Sequence, residues 1–145
     1  MKKIFETKVE NKLYTPPGYG PYRYEIKNIK LENIVDDLWG IGPTMIKDTP
    51  HFKYTSGNRR PLEKYFESCK GHTWARKGTP AENMTVDELI GEFDVLLTSD
   101  KKYLEPPFHE HYIIVSSNWR CIDGLRRACV LLSNNVETAP VAWVF

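Results

Sequence analysis

The last third of the chain constrains the fold more than any other part. Ile113, Ile114 and Val115 form an apolar run that passes through Ser116-Ser117-Asn118 into Trp119-Arg120-Cys121-Ile122. Two β-prone stretches joined by a short polar turn read as a hairpin. Asp123-Gly124-Leu125-Arg126-Arg127 then opens a helical pattern, because Ala128, Cys129 and Leu132 continue one apolar face from Leu125. The chain closes on Thr138-Ala139-Pro140-Val141-Ala142-Trp143-Val144, again β-prone. The predicted order is hairpin, helix, strand.

Gly124 stands where that helix begins. The first N–H groups of a helix have no internal acceptor and carry the positive end of the aligned peptide dipoles. A glycine there lets a bulky anion approach the backbone, and a guanidinium offers a fork of donors matched to phosphate oxygens. Gly124, Leu125, Arg126 and Arg127 are therefore candidate phosphate-binding residues. The same residues also suit a plainer arrangement, with Asp123 as N-cap, Gly124 easing the turn and two solvated arginines on a surface helix.

Upstream, local signals place two more helices. Pro61 suits the first turn of a helix through Leu62, Tyr65, Phe66 and Cys69, which Gly71 stops. Thr85, with Glu88 three residues on, forms a capping box for a helix through Val86, Leu89, Ile90 and Phe93. Trp39-Gly40-Ile41-Gly42-Pro43 breaks any helix starting at Leu31, and residues 100–107 read as a loop. Residues 1–21, rich in proline and glycine towards their end, read as an N-terminal arm or loop before a domain spanning 22–145. "TPHFKYTSGNRR" reads as a polar aromatic loop, which could stack on a nucleotide base and bring Arg59 or Arg60 to phosphate, or could be an ordinary surface connection.

Read as a block, "YIIVSSNWRCIDGLRRACVLLSNNVETAPVAWVF" resembles the end of ParB/sulfiredoxin superfamily domains, in which a strand, a "DGxRR" or "GxHR" motif, a helix and a last strand around a "VPV" run follow one another. The likeness lies mainly in residues 111–145; "YRYEIKNIKLENIV" is similar to the superfamily's opening strand and short helix, with Ile26, Ile29, Leu31, Ile34 and Val35 as buried positions. The resemblance implies an α+β fold, a small mixed sheet with helices packed on it. It also implies nucleotide phosphates at Gly124, Arg126 and Arg127, and metal or phosphoryl chemistry at Asp123. Leu125 stands where sulfiredoxins carry their catalytic cysteine, so their reductase chemistry is not expected. Partition ParB proteins have a glutamate there and continue into helix-turn-helix and dimerisation regions, which are not expected within these 145 residues.

Composition narrows the function classes. The 145 residues suffice for one core, and a net charge of +1 gives no overall pull towards nucleic acid or anionic lipid, so any anion site has to be local. Three cysteines, Cys69, Cys121 and Cys129, cannot all pair, no apolar leader follows Met1-Lys2-Lys3, and no run approaches a membrane span. A cytoplasmic location is the expectation. Cys69 and His72 with His109 and His111 could in principle form a tetrahedral zinc site, although the spacing is not that of zinc folds. His109-Glu110-His111 is more simply a polar entry to a strand, and His111 is a candidate general base or outer-shell Mg²⁺ contact beside a nucleotide.

Two functional expectations follow. In one, the domain is an NTP-dependent phosphotransferase or NTPase using Mg²⁺ with ATP or CTP. Asp123 and His111 would then be catalytic, Asp123 would bind the metal, and the acceptor would be an unidentified small molecule or protein. In the other, it is a binding module that holds a nucleotide, or less favourably a nucleic-acid backbone, without turnover.

Overall fold

The computed structural model describes residues 2–3, 23–70, 78, 81–98 and 112–145. They form a small α+β fold. Its main sheet contains β1 (Lys2–Lys3), β2 (Arg23–Lys30), β5 (Ile114–Ser116), β6 (Cys121–Asp123) and β7 (Thr138–Val144) in the order β1-β2-β7-β5-β6. A separate hairpin pairs β3 (Val35–Leu38) with β4 (Gly42–Met45). Four α-helices lie among the described residues: α1 (Pro50–Thr55), α2 (Arg60–Cys69), α3 (Val86–Thr98) and α4 (Leu125–Ser133).

The sheet is mixed for a topological reason. β5 turns tightly into antiparallel β6, and α4 then carries the chain back so that β7 lies parallel to β5, with Ile114 opposite Ala142. β7 is therefore internal and apolar on both faces. Ala139, Val141 and Trp143 enter the large core, whereas Ala142 and Val144 join a smaller cluster with Tyr24 and Ile114. Pro140, which lacks an N–H, lies before the stretch where β5 pairs. The large core sits between the sheet and the helices, with Leu31, Ile34, Ile46, Leu62, Phe93 and Ala128 fully buried.

The helices obey their local signals. Thr85 and Glu88 exchange reciprocal hydrogen bonds, each 3.1 Å, at the start of α3, and Leu89, Ile90 and Phe93 are buried. Leu62, Tyr65, Phe66 and Cys69 form the buried face of α2.

Some expectations are corrected. "TPHFKYTSGNRR" is not a loop throughout: the Thr49 hydroxyl accepts from the Phe52 N–H at 3.1 Å and Pro50 fills the first turn, which starts α1 and buries His51. The segment after Leu31 is a 3₁₀ turn over Leu31–Asn33 that leads directly into β3, and Trp39, Gly40 and Ile41 make the turn to β4, Gly40 at a φ of 73°. Ile26 is 45% exposed although it shares a face of β2 with Tyr24, because the small cluster of Tyr24, Ile114, Ala142 and Val144 on that face does not extend over it. Lys2–Lys3 pair with Arg23 and Tyr24, while residues 1 and 4–21 of the expected arm, the expected loop at 100–107 and Gly71 lie outside the described residues.

Candidate functional site

The start of α4 is built by a glycine that no other residue could replace without strain. Gly124 caps the helix at a φ of 111°, and a Cβ there would lie 3.1 Å from both Cα and Cγ1 of Ile113. No side chain caps the helix. Asp123 is instead the last residue of β6, and its Oδ2 accepts from Arg127 Nη2 at 3.3 Å across one helical turn. The plainer reading of Asp123 as N-cap is thereby removed.

A cleft of about 640 Å³ opens at this helix start and is lined by Asp123, Gly124, Leu125, Arg126 and Arg127. Its apolar wall comes from Leu38, Tyr65, Phe66, Leu89 and Leu96, on β3, α2 and α3. Asp36 on β3 and Glu92 on α3 also line it, so three carboxylates face two guanidinium groups. The volume falls within the usual range for small-molecule sites, and the lining has their usual make-up of apolar walls with a few convergent polar groups.

Two ionisable groups that line the cleft, Asp36 and His51, are perturbed, as is Cys121 next to Asp36. Burial pushes the Asp36 carboxyl up to about 6; its hydrogen bond with Cys121 opposes this, and the charges of Asp37 and Asp123 reinforce it. Cys121 is held well above the usual thiol range, chiefly by burial and then by the charges of Asp36 and Asp123. His51 is lowered to about 3 by burial and, secondarily, by the charge of Arg126, so its imidazole is neutral at physiological pH. Its ring packs edge-on against Tyr65, Phe66 and Phe93 at centroid distances of 5.0, 5.9 and 6.0 Å.

The structure thus gathers Asp123, Gly124, Leu125, Arg126 and Arg127 at one cleft and keeps Arg59 and Arg60 apart from its lining. Arg59 precedes α2 and bridges Glu63 at 3.5 Å and Asp87 at 2.5 Å, while Arg60 is exposed in the first turn. His111 lies outside the described residues, as do His72 and His109 of the conceivable zinc set, and Cys69 is a core residue. Among the described residues no group of three or more His, Cys, Asp or Glu side chains could hold a metal ion by itself.

Sequence reasoning missed Asp36 and Glu92 as cleft residues and misplaced His51. The Thr49-Pro50 pair, an N-cap followed by a first-turn proline, was the signal that could have put His51 on a helix. No local signal marks Asp36, whose position depends on β3 docking beside the β5–β6 turn through a bridge between Val35 and Arg120. No helix among the described residues is long and apolar enough to cross a membrane. No family model, curated protein or solved structure matches this chain.

Proposed function

We propose that the cleft at the start of α4 binds a nucleoside triphosphate together with Mg²⁺, on a ParB/sulfiredoxin-like fold, and that the bound nucleotide undergoes phosphoryl transfer or hydrolysis. The observation that carries this reading is the convergence of an uncapped helix start, Arg126 and Arg127 on a cleft with an apolar wall of nucleotide-compatible size. The helix start and Arg126 take the phosphates. Asp123 and Asp36 would hold Mg²⁺, which takes one or two carboxylates beside oxygens of phosphate and water. The metal also offsets the carboxylates, which would otherwise repel a polyanion.

In the catalytic version, Mg²⁺ held by these carboxylates would offset the charge that develops as the terminal phosphoryl group passes to an attacking hydroxyl or water and the nucleoside diphosphate leaves. The alternative is a module that holds the nucleotide without turnover; a net charge of +1 makes a nucleic-acid backbone the weaker ligand.

Thermal shift with ATP, CTP and ADP in the presence of Mg²⁺ tests the shared premise. A ligand at a hundred times its dissociation constant adds about 2.7 kcal/mol of stability, and the absence of any shift with all three would refute the reading. Nucleotide consumption with and without candidate acceptors then separates enzyme from module. Asp123→Asn is expected to abolish turnover while sparing binding.

A further inference from the structure

Beside the start of α4, the cleft is lined by a histidine with one ring nitrogen that the fold leaves without a hydrogen-bond partner. His51 is 4% exposed, and its Nδ1 is buried with no hydrogen-bond partner. Buried polar atoms in folded proteins are nearly always paired, and an unpaired one costs about 1–3 kcal/mol. The surrounding rings of Tyr65, Phe66 and Phe93 pack edge-on against the imidazole, and none of them makes a hydrogen bond to Nδ1. His51 also lines the cleft, so a ligand there can supply the missing partner once the ring turns Nδ1, which is itself buried, towards the opening.

We propose that His51 is the specificity-determining contact for the heterocycle of a nucleoside phosphate: the partnerless Nδ1 beside an apolar wall recognises the polar edge of a flat, nitrogen-containing ring. The inference rests on the reading of the α4 start as a phosphate cradle and adds what decides which phosphate compound binds. A neutral imidazole offers one donor and one acceptor, which complement the N–H and carbonyl groups on a base edge. It offers no positive charge to a polyphosphate, for which Arg126 and the helix start are the matched partners. Leu38, Met84, Leu89 and Leu96 supply the apolar surface that the faces of such a ring would cover. An unsatisfied atom kept at a cost to the empty fold is the arrangement that rejects ligands lacking the complementary group.

Calorimetric titration of the wild type, His51→Phe and His51→Asn with ATP, CTP and inorganic tripolyphosphate, each with Mg²⁺, tests this. The wild type is expected to bind at least one nucleotide about tenfold or more tighter than tripolyphosphate. His51→Phe keeps the aromatic packing and should lose that preference, with tripolyphosphate binding unchanged and a Tm at or above the wild-type value. His51→Asn, with a polar group near the position of Nδ1, should recover part of the preference, and it carries the test should the phenylalanine variant not fold. Equal binding of nucleotides and tripolyphosphate by the wild type would overturn the heterocycle contact and leave the phosphate cradle standing. Unchanged selectivity in the folded variants, or a parallel loss of tripolyphosphate binding, would also overturn it. A wild type that binds none of the three would overturn both readings.

Discussion

Arg127 reaches back one helical turn to Asp123, Nη2 to Oδ2 at 3.3 Å, so the two motif residues hold each other at the mouth of the cleft. This pairing divides the work between the two arginines. Arg127 is mostly buried and engaged within the fold, whereas Arg126 is exposed and no ion pair joins it among the described residues. Arg126→Ala should therefore weaken binding of Mg²⁺-nucleotide by about tenfold while changing stability by less than about 0.5 kcal/mol. Arg127→Ala should lower both affinity and stability. Titration calorimetry together with urea unfolding of the two variants checks the division; equal stability losses would refute it.

Gly124→Ala isolates the backbone requirement. The added methyl meets Ile113 at 3.1 Å, partly against main chain that cannot swing aside, and the residue must hold a φ of 111°. The expected loss is about 2–3 kcal/mol in urea unfolding. A variant as stable as the wild type would mean that the β6–α4 junction relaxes freely, and the glycine would then need another explanation.

What the sequence made legible was whatever its local chemistry dictates. The capping box at Thr85 and Glu88, the first-turn proline of α2, and the succession from β5 through α4 to β7 all act within a few residues, and all are found in the fold. So is the convergence of Asp123 with Gly124–Arg127, since adjacent residues on one turn cannot be far apart. Asp36 was illegible because its importance comes from a distant strand bringing it beside Cys121 and Asp123. His51 was misread because a six-residue helix carries too little periodicity to stand out from a polar loop, and only its cap betrays it. The likeness to an opening strand marks Ile26 as buried, but what covers each face of β2 depends on distant residues, and the small cluster around Tyr24 leaves Ile26 open.

The capping box offers a clean stability test away from the cleft. Thr85 is exposed, and its hydroxyl accepts from the Glu88 N–H while the Glu88 carboxylate accepts from the Thr85 N–H. Thr85→Ala should cost about 1 kcal/mol, read as a lower urea midpoint with an unchanged slope, and should leave nucleotide affinity intact. A fall in affinity would show that the start of α3 helps to shape the cleft.

The Asp36 carboxyl links stability, pH and metal. Its value of about 6 in the fold lies above the ordinary 3.8, so the native state holds this proton more tightly than the unfolded chain. The stability this confers is fully present below about pH 4 and is lost as pH rises through about 6, an effect on the order of 3 kcal/mol. Asp36→Asn removes the ionisation and keeps the shape. The difference in unfolding free energy between variant and wild type should therefore favour the variant increasingly from pH 4.5 to pH 7.5. A difference that stays flat across this range would show that Asp36 ionises without penalty. Binding should respond in the opposite sense, because the ionised carboxylate that strains the empty cleft is the form that attracts Mg²⁺. Wild-type affinity for Mg²⁺-nucleotide should rise between pH 5.5 and pH 7.5, and this rise should be absent in Asp36→Asn. If the variant instead bound Mg²⁺-nucleotide more tightly at pH 7.5, Asp36 would be a repulsive neighbour of the phosphates and not a partner of the metal.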